Sequence, residues 1–169
     1  SIAARLSRGM PGKTILLVVI ELCSLTFRPD EMSKSNIIAS ALFGDGAAAA
    51  VLRDSGEGPR IEHAGEHTWP ETTDIMGWRI DPEGFFAIFS RSIPDLVLNQ
   101  LRPAADDFLA RHDLNLADMQ HFSFHPGGTK VIQALEQALE LGQGRLQDER
   151  RTLANFGNMS APTVLFVLK

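Results

Sequence analysis

The chain has one cysteine, Cys23, so no internal disulfide can form and the fold must rest on packing and hydrogen bonds. That usage suits a reducing, cytoplasmic setting. No apolar run approaches the roughly twenty residues that a membrane span requires. The longest, Ile15 to Ile20, has the length of a buried strand. The opening Ser1-Ile-Ala-Ala-Arg-Leu lacks the long apolar stretch of a secretory signal. Excess positive charge is missing too: the net charge is −5 and the pI near 5.5, which excludes a broad nucleic-acid surface and leaves room for a local basic patch. Neither GxGxxG nor GxxxxGK[ST] occurs, so Gly44-Asp-Gly46 reads as a tight turn that lets small alanines pack, not as a nucleotide cradle. Glu62, His63, Glu66 and His67 form no compact ligand motif, and no cysteines assist them, so they read as a solvated polar edge and no metal is expected. No internal repeat or low-complexity segment is present.

What is present is enough for one domain. With 169 residues, 44% of them hydrophobic and 22% charged, positions 1–169 can bury a core of their own. Ser1 to Arg8 reads as the tail of a helix closed by Gly9. Thr14 to Leu22 is continuously apolar and reads as a strand buried on both faces. Asn36 to Phe43 is a short helical stretch with Asn36 as its cap, and Gly44-Asp-Gly46 turns the chain into Ala47 to Arg53. Arg60 to Thr68 is a candidate strand. Met76 to Ile80 and Gly84 to Phe89 suit a hairpin around Asp81-Pro82-Glu83. Ser92 to Arg111 is the clearest helix, capped by Ser92 with Asp95 completing an approximate capping box, and kinked or interrupted by Pro103. His121 to Phe124 reads as a strand. Thr129 then caps a helix whose Val131, Ile132, Leu135, Ala138 and Leu139 form one buried stripe, ended by Gly142 and Gly144. Leu146 to Phe156 is a charged helix, and Thr163 to Leu168 a final buried strand. Strands alternating with helices predict an α/β domain, a parallel or mixed sheet sandwiched by helices.

Two polar side chains stand where apolar runs meet glycine-rich turns. His125 follows Phe122-Ser-Phe124 and opens His125-Pro-Gly-Gly-Thr-Lys; Asn158 lies in Gly157-Asn-Met-Ser-Ala-Pro. An imidazole and a carboxamide side by side can donate two hydrogen bonds to one carbonyl oxygen, as an oxyanion hole does. The same residues also suit a core histidine and a turn asparagine, and spacing alone does not choose between these readings.

The wording of these segments adds to their spacing. FxFHPGGxxxI, then NFGNMSAPTVLFVL about thirty residues on, resembles the C-terminal half of the type III polyketide synthases, the chalcone-synthase-like branch of the thiolase fold. Val19-Ile-Glu-Leu-Cys-Ser-Leu-Thr-Phe-Arg28 and Ala41-Leu-Phe-Gly-Asp-Gly-Ala-Ala-Ala49 agree, so the resemblance runs from about Thr14 to Lys169. It implies a thiolase-like fold and a decarboxylative Claisen condensation of malonyl-CoA onto a cysteine-bound acyl starter. His125 and Asn158 match the family's oxyanion donors, and His125 would also lower the pKa of the nucleophilic cysteine. Phe43 matches an aromatic between the CoA tunnel and the cavity, and Cys23 a cavity-lining position. Gly127 and Gly128 fall in the family's glycine turn, where a CoA thioester would approach. Ala87 stands where plant members carry a gatekeeping phenylalanine, which would open the cavity locally. The ELCSLTF wording points to bacterial synthases that make small aromatic polyketides.

The family's nucleophile lies upstream, in an N-terminal half that these residues do not include, so the chain alone is expected to be inactive. That half, CoA thioesters and a second copy in a homodimer are the implied partners; acyl-CoA and malonyl-CoA are substrates, with no permanently bound cofactor. Alternatives of other classes are a half with only an assembly role and a small hydrolase using Cys23. The ketoacyl synthases that initiate fatty-acid synthesis differ, reading HQAN and GNTSAAS at the corresponding places. An apolar surface that would face the N-terminal half is also expected to lie exposed.

Overall fold

The computed structural model describes residues 2–169; Ser1, included in the first expected helix, lies outside them. The run of branched residues Ile15–Glu21 forms strand β1, paired antiparallel with strand β2, Gly46–Leu52, from Ile15 opposite Leu52 to Glu21 opposite Gly46. One face of this ribbon packs on helix α1, Ile2–Gly9, which buries Ala3, Ala4 and Ser7, and on a C-terminal helix described below. The other face is open. Leu16, Val18 and Ile20 are 62%, 53% and 63% exposed, and Val51 opposite Leu16 is 60% exposed. The strand expected to be buried on both faces is therefore covered on one, among the described residues.

Between β1 and β2 the chain makes a 3-10 turn, Cys23–Thr26, and helix α2, Lys34–Leu42. Ser33, not Asn36, caps α2: its hydroxyl accepts from the Asn36 amide at 3.3 Å. Asn36 is buried, and its Nδ2 donates to the carbonyls of Arg28 (2.8 Å) and Glu31 (2.7 Å). The expected hairpin forms from β3, Met76–Asp81, and β4, Gly84–Phe89. Gly84, at φ 115°, takes the left-handed conformation that its turn needs.

Most of the core belongs to three helices: α3, Ile93–Ala110; α4, Thr129–Ala138; and α5, Gln147–Phe156. Ile132, Leu135 and Leu146 lie at its centre, covered by Val97 and Leu101 of α3, Phe122, Phe124 and Leu153. Burying each such side chain contributes about 1.5–3 kcal/mol. Buried Glu136 ties the α4–α5 connection, accepting from the amides of Gly144 (3.1 Å) and Leu146 (3.2 Å) and pairing with Arg150 at 2.5 Å. Pro103 does not break α3, which runs through it.

Other expectations change. Thr163 to Leu168 is helical: α6, Pro162–Val167, starts on Pro162, whose fixed φ suits a first helical turn, and packs under β1 and β2. Residues 121–124 join no ladder among the described residues, and the Phe124 amide donates to the buried Glu149 carboxylate at 2.9 Å. Residues 60–68 form no strand; Arg8 holds the carbonyls of Ile61 and Glu62, and His63 stacks on His112 at 3.8 Å. Gly128 occupies the cap position assigned to Thr129, and Ser92 makes no side-chain cap. The helix expected to reach Gly142 ends at Ala138, with Glu140 at φ 54°. Both ladders are antiparallel, and an isolated parallel bridge links Phe43 to Asn158, so the pairing is mixed. No helix among the described residues is long and apolar enough to cross a membrane.

Candidate active site

The isolated bridge is where the site is built. The Asn158 amide donates to the Leu42 carbonyl at 2.8 Å, and the Gly44 amide donates to the Asn158 carbonyl at 3.0 Å. These bonds lock the segment after α5 against the end of α2. Glycines make the approach feasible: a Cβ on Gly157 would stand 2.7 Å from the Leu42 carbonyl oxygen, and one on Gly44 would stand 2.6 Å from that of Phe156. Gly157 also sits at φ 71°. Thr163, fully buried, closes the turn beyond: its hydroxyl accepts from the Met159 amide at 2.9 Å and donates to the Ser160 carbonyl at 2.8 Å.

Asn158 itself is buried, and both ends of its amide are committed. Its Oδ1 accepts from the Ser160 amide at 2.8 Å, which turns Nδ2 toward the His125 loop, where it donates to the Gly127 carbonyl at 3.3 Å. A carboxamide nitrogen has two hydrogens, so one remains to give. His125 lies across the same glycine: a Cβ on Gly127 would be 3.7 Å from imidazole Cδ2 and Nε2. The loop is held by the Gly127 amide on the His125 carbonyl at 3.0 Å, and the segment ahead of it by Glu149 on Phe124. The ring has an open edge on this chain, yet the protein packed beneath it lowers its pKa from the ordinary histidine value through burial. Burial thus favours the uncharged imidazole over the imidazolium. Two neutral donors flanking one glycine can serve an oxygen that acquires negative charge.

The structure brings His125, Gly127, Asn158 and Phe43 together and sets the other candidates around them. Phe43 follows α2 directly, bridges to Asn158, and meets Phe89 of β4 edge to face, with ring centroids 5.8 Å apart. Ala87 is two residues from Phe89 on the same strand. Gly128 is extended, at φ 165°, and starts α4. Cys23 is half-buried at the start of its 3-10 turn and, among the described residues, has no hydrogen bond to His125 or Asn158. Burial first, then the negative charges of Glu21 and Asp45, raise its thiol pKa. Asp45 remains ionised, its pKa lowered by the Ser24 hydroxyl (2.6 Å) and amide (2.7 Å). A thiol held protonated is a poor nucleophile, which counts against the Cys23 hydrolase reading. Among the described residues, no three His, Cys, Asp or Glu side chains come together as a metal-holding group. Sequence reasoning missed Glu149 and Thr163; no pattern marks either, because both act on backbone amides distant in the chain or in an unrecognised turn.

The fold of this chain is similar to that of solved synthases of the thiolase-like fold. It superposes on 1,3,6,8-tetrahydroxynaphthalene synthase from Streptomyces coelicolor, a bacterial type III polyketide synthase, with a TM-score of 0.92 at 29% identity, over 99% of this chain and 48% of that one. Residues 60–169 match the family "Chalcone and stilbene synthases, C-terminal domain", and the chain belongs to that family. A putative chalcone synthase of Bacillus subtilis is 40% identical, over 99% of this chain and 48% of that protein. The 1,3,6,8-tetrahydroxynaphthalene synthase of Streptomyces peucetius is 42% identical, over 95% and 44% respectively. The chain thus spans about half the length of the curated relatives it matches.

Proposed function

We propose that this chain is the C-terminal half of a type III polyketide synthase and supplies the oxyanion donors for malonyl-CoA decarboxylation and Claisen condensation. The observation that supports this reading is that Asn158 Nδ2 bonds the Gly127 carbonyl while the His125 ring lies beside the same glycine. In the first step the bond between the malonyl carboxylate and the α-carbon breaks and carbon dioxide leaves. The electron pair moves into an enolate, whose thioester oxygen accepts hydrogen bonds from His125 and Asn158. The α-carbon then attacks the acyl thioester, and the cysteine sulfur departs as a thiolate. That cysteine belongs to an N-terminal half, which docks on this chain. The substrates are acyl-CoA and malonyl-CoA, approaching along Gly127 and Gly128, with no permanently bound cofactor. Phe43, Cys23 and Ala87 line the cavity, and the assembled synthase works as a cytoplasmic homodimer.

The test uses the full-length synthase carrying this chain. His125→Ala should lower malonyl-CoA decarboxylation by about 100-fold or more, the usual cost of one oxyanion donor. Normal turnover by that variant would end the reading.

A further inference from the structure

A cleft of about 620 Å³ lies outside the site described above. It is bounded by Arg102 of α3, by the 3-10 turn Leu116–Asp118 and by the connection between α4 and α5. That volume suits a small molecule. Its apolar lining includes Met119, Phe122 and Leu141, each half-buried, and Phe122 and Leu141 pack against the core of Ile132, Leu135 and Leu146. The Phe122 ring also stacks on Phe124, with centroids 5.7 Å apart, so this lining is held firmly. Two nearby carboxylates are already engaged. Asp118 accepts from the Asn115 amide at 2.9 Å, and Asp106 accepts from Arg102 Nε at 2.7 Å. The charge left for a ligand is positive. Among the described residues, the terminal nitrogens of Arg102 make no hydrogen bond, and Arg145 gives a single one, to the Gln120 carbonyl at 2.8 Å.

The third charge on the lining is Glu140, whose side chain is 84% exposed and whose carboxylate stands 3.9 Å from Arg102 Nη1, too far for a hydrogen bond. Glu140 takes the left-handed position after α4, at φ 54°, and the Leu141 amide closes that turn on the Glu136 carbonyl at 2.8 Å. Glycine is the residue that adopts this conformation without strain. A carboxylate is thus placed, against backbone preference, where it partly satisfies Arg102 and can swing into solvent.

We propose that this cleft binds a small aromatic carboxylate. Its ring lies against Met119, Phe122 and Leu141, and its carboxylate takes the guanidinium groups of Arg102 and Arg145, displacing Glu140. Charge complementarity names the occupant: a guanidinium offers a carboxylate paired donors in one plane. A flat ring suits a thioether and an aromatic side chain. The inference is independent of the synthase reading, because none of these residues is assigned to the condensation.

The experiment is calorimetric titration of 1-naphthoate into the full-length protein carrying this chain, beside the uncharged 1-naphthamide of the same shape. Naphthoate should bind with a Kd of about 1 mM or tighter, the scale set by a ligand of its size. Naphthamide should bind about tenfold more weakly, a comparison that needs no variant. Arg102→Gln and Arg145→Gln should each weaken naphthoate by about tenfold and leave naphthamide unmoved. Glu140→Gln removes the competing carboxylate at constant size and should tighten naphthoate by about threefold. Equal binding of the two probes, or naphthoate binding unchanged in both arginine variants, would overturn the proposal, since the ligand would then lie on an apolar surface such as the open β1–β2 face. Absence of naphthoate binding would overturn it as well.

Discussion

The helical end of the molecule and its β1–β2 end treat apolar residues in opposite ways. Around α4 and α5, Ile132 and Leu146 are 0% and 1% exposed, and even a carboxylate, Glu149, is 2% exposed with its hydrogen bond made. On β1, Leu16 and Ile20 are 62% and 63% exposed. The helical end closes on itself, because α3, α4 and α5 present their stripes to one another. The ribbon has a single covered face, and its branched residues lie on both. An apolar face of this kind marks an interaction surface. The site lies where the two ends meet, Asn158 being held by α2 and the Gly44 turn on one side and the Gly127 loop on the other.

Substitutions sharpen that contrast. The largest stability loss is expected for Ile132→Ala, about 2–5 kcal/mol, because a cavity opens where nothing can collapse into it; urea titration would measure it. A loss under 1 kcal/mol would mean that the helical end is not the stabilising core. Glu149→Ala strands the Phe124 amide, and a cost of about 1–3 kcal/mol is predicted. Gly157→Ala acts at the junction of the two ends. Its new methyl meets the Leu42 carbonyl at a strained φ, for a loss of about 1–3 kcal/mol and an added loss of synthase activity.

Acidification probes the same junction more gently. Burial lowers the folded-state pKa of His125, so its neutral form is the one the fold favours. The resulting stability is present above the unfolded histidine value of about 6.5 and is lost as pH falls through the lower folded value. Decarboxylation should therefore persist below pH 6.5 before declining, as a pH–rate profile would show. The smallest effect on the stability of this chain, within about 0.5 kcal/mol, is expected for Val18→Lys on the open face. The same change should reduce light scattering from concentrated solutions, since an exposed apolar face favours self-association.

The contrast between the ends also explains what the sequence disclosed. Ile132 and Leu135 recur at helical spacing and mark α4 because their partners lie within this chain. The hairpin is equally plain, since Asp81-Pro82-Glu83 separates two runs rich in apolar residues. Thr163 to Leu168 misled because a short apolar run fits strand or buried helix alike, and Pro162 was the cue that separates them. The run Thr14 to Leu22 predicts burial on both faces, and its second covering is not made by the described residues. His125 and Asn158 are legible as candidates through their glycine turns. Their meeting at Gly127 is not, because the segments that bear them are held by Glu149 and Thr163, whose roles only the folded chain displays.

On the function proposed above, this chain supplies the oxyanion donors and an N-terminal half completes the synthase. The most direct measurement is carbon dioxide release from malonyl-CoA by this chain, alone and co-purified with the N-terminal part of the Streptomyces peucetius relative. The account predicts release from the pair, none from either part, and loss of release on His125→Ala. Equal release by this chain alone, or none from a stably formed pair, would contradict it.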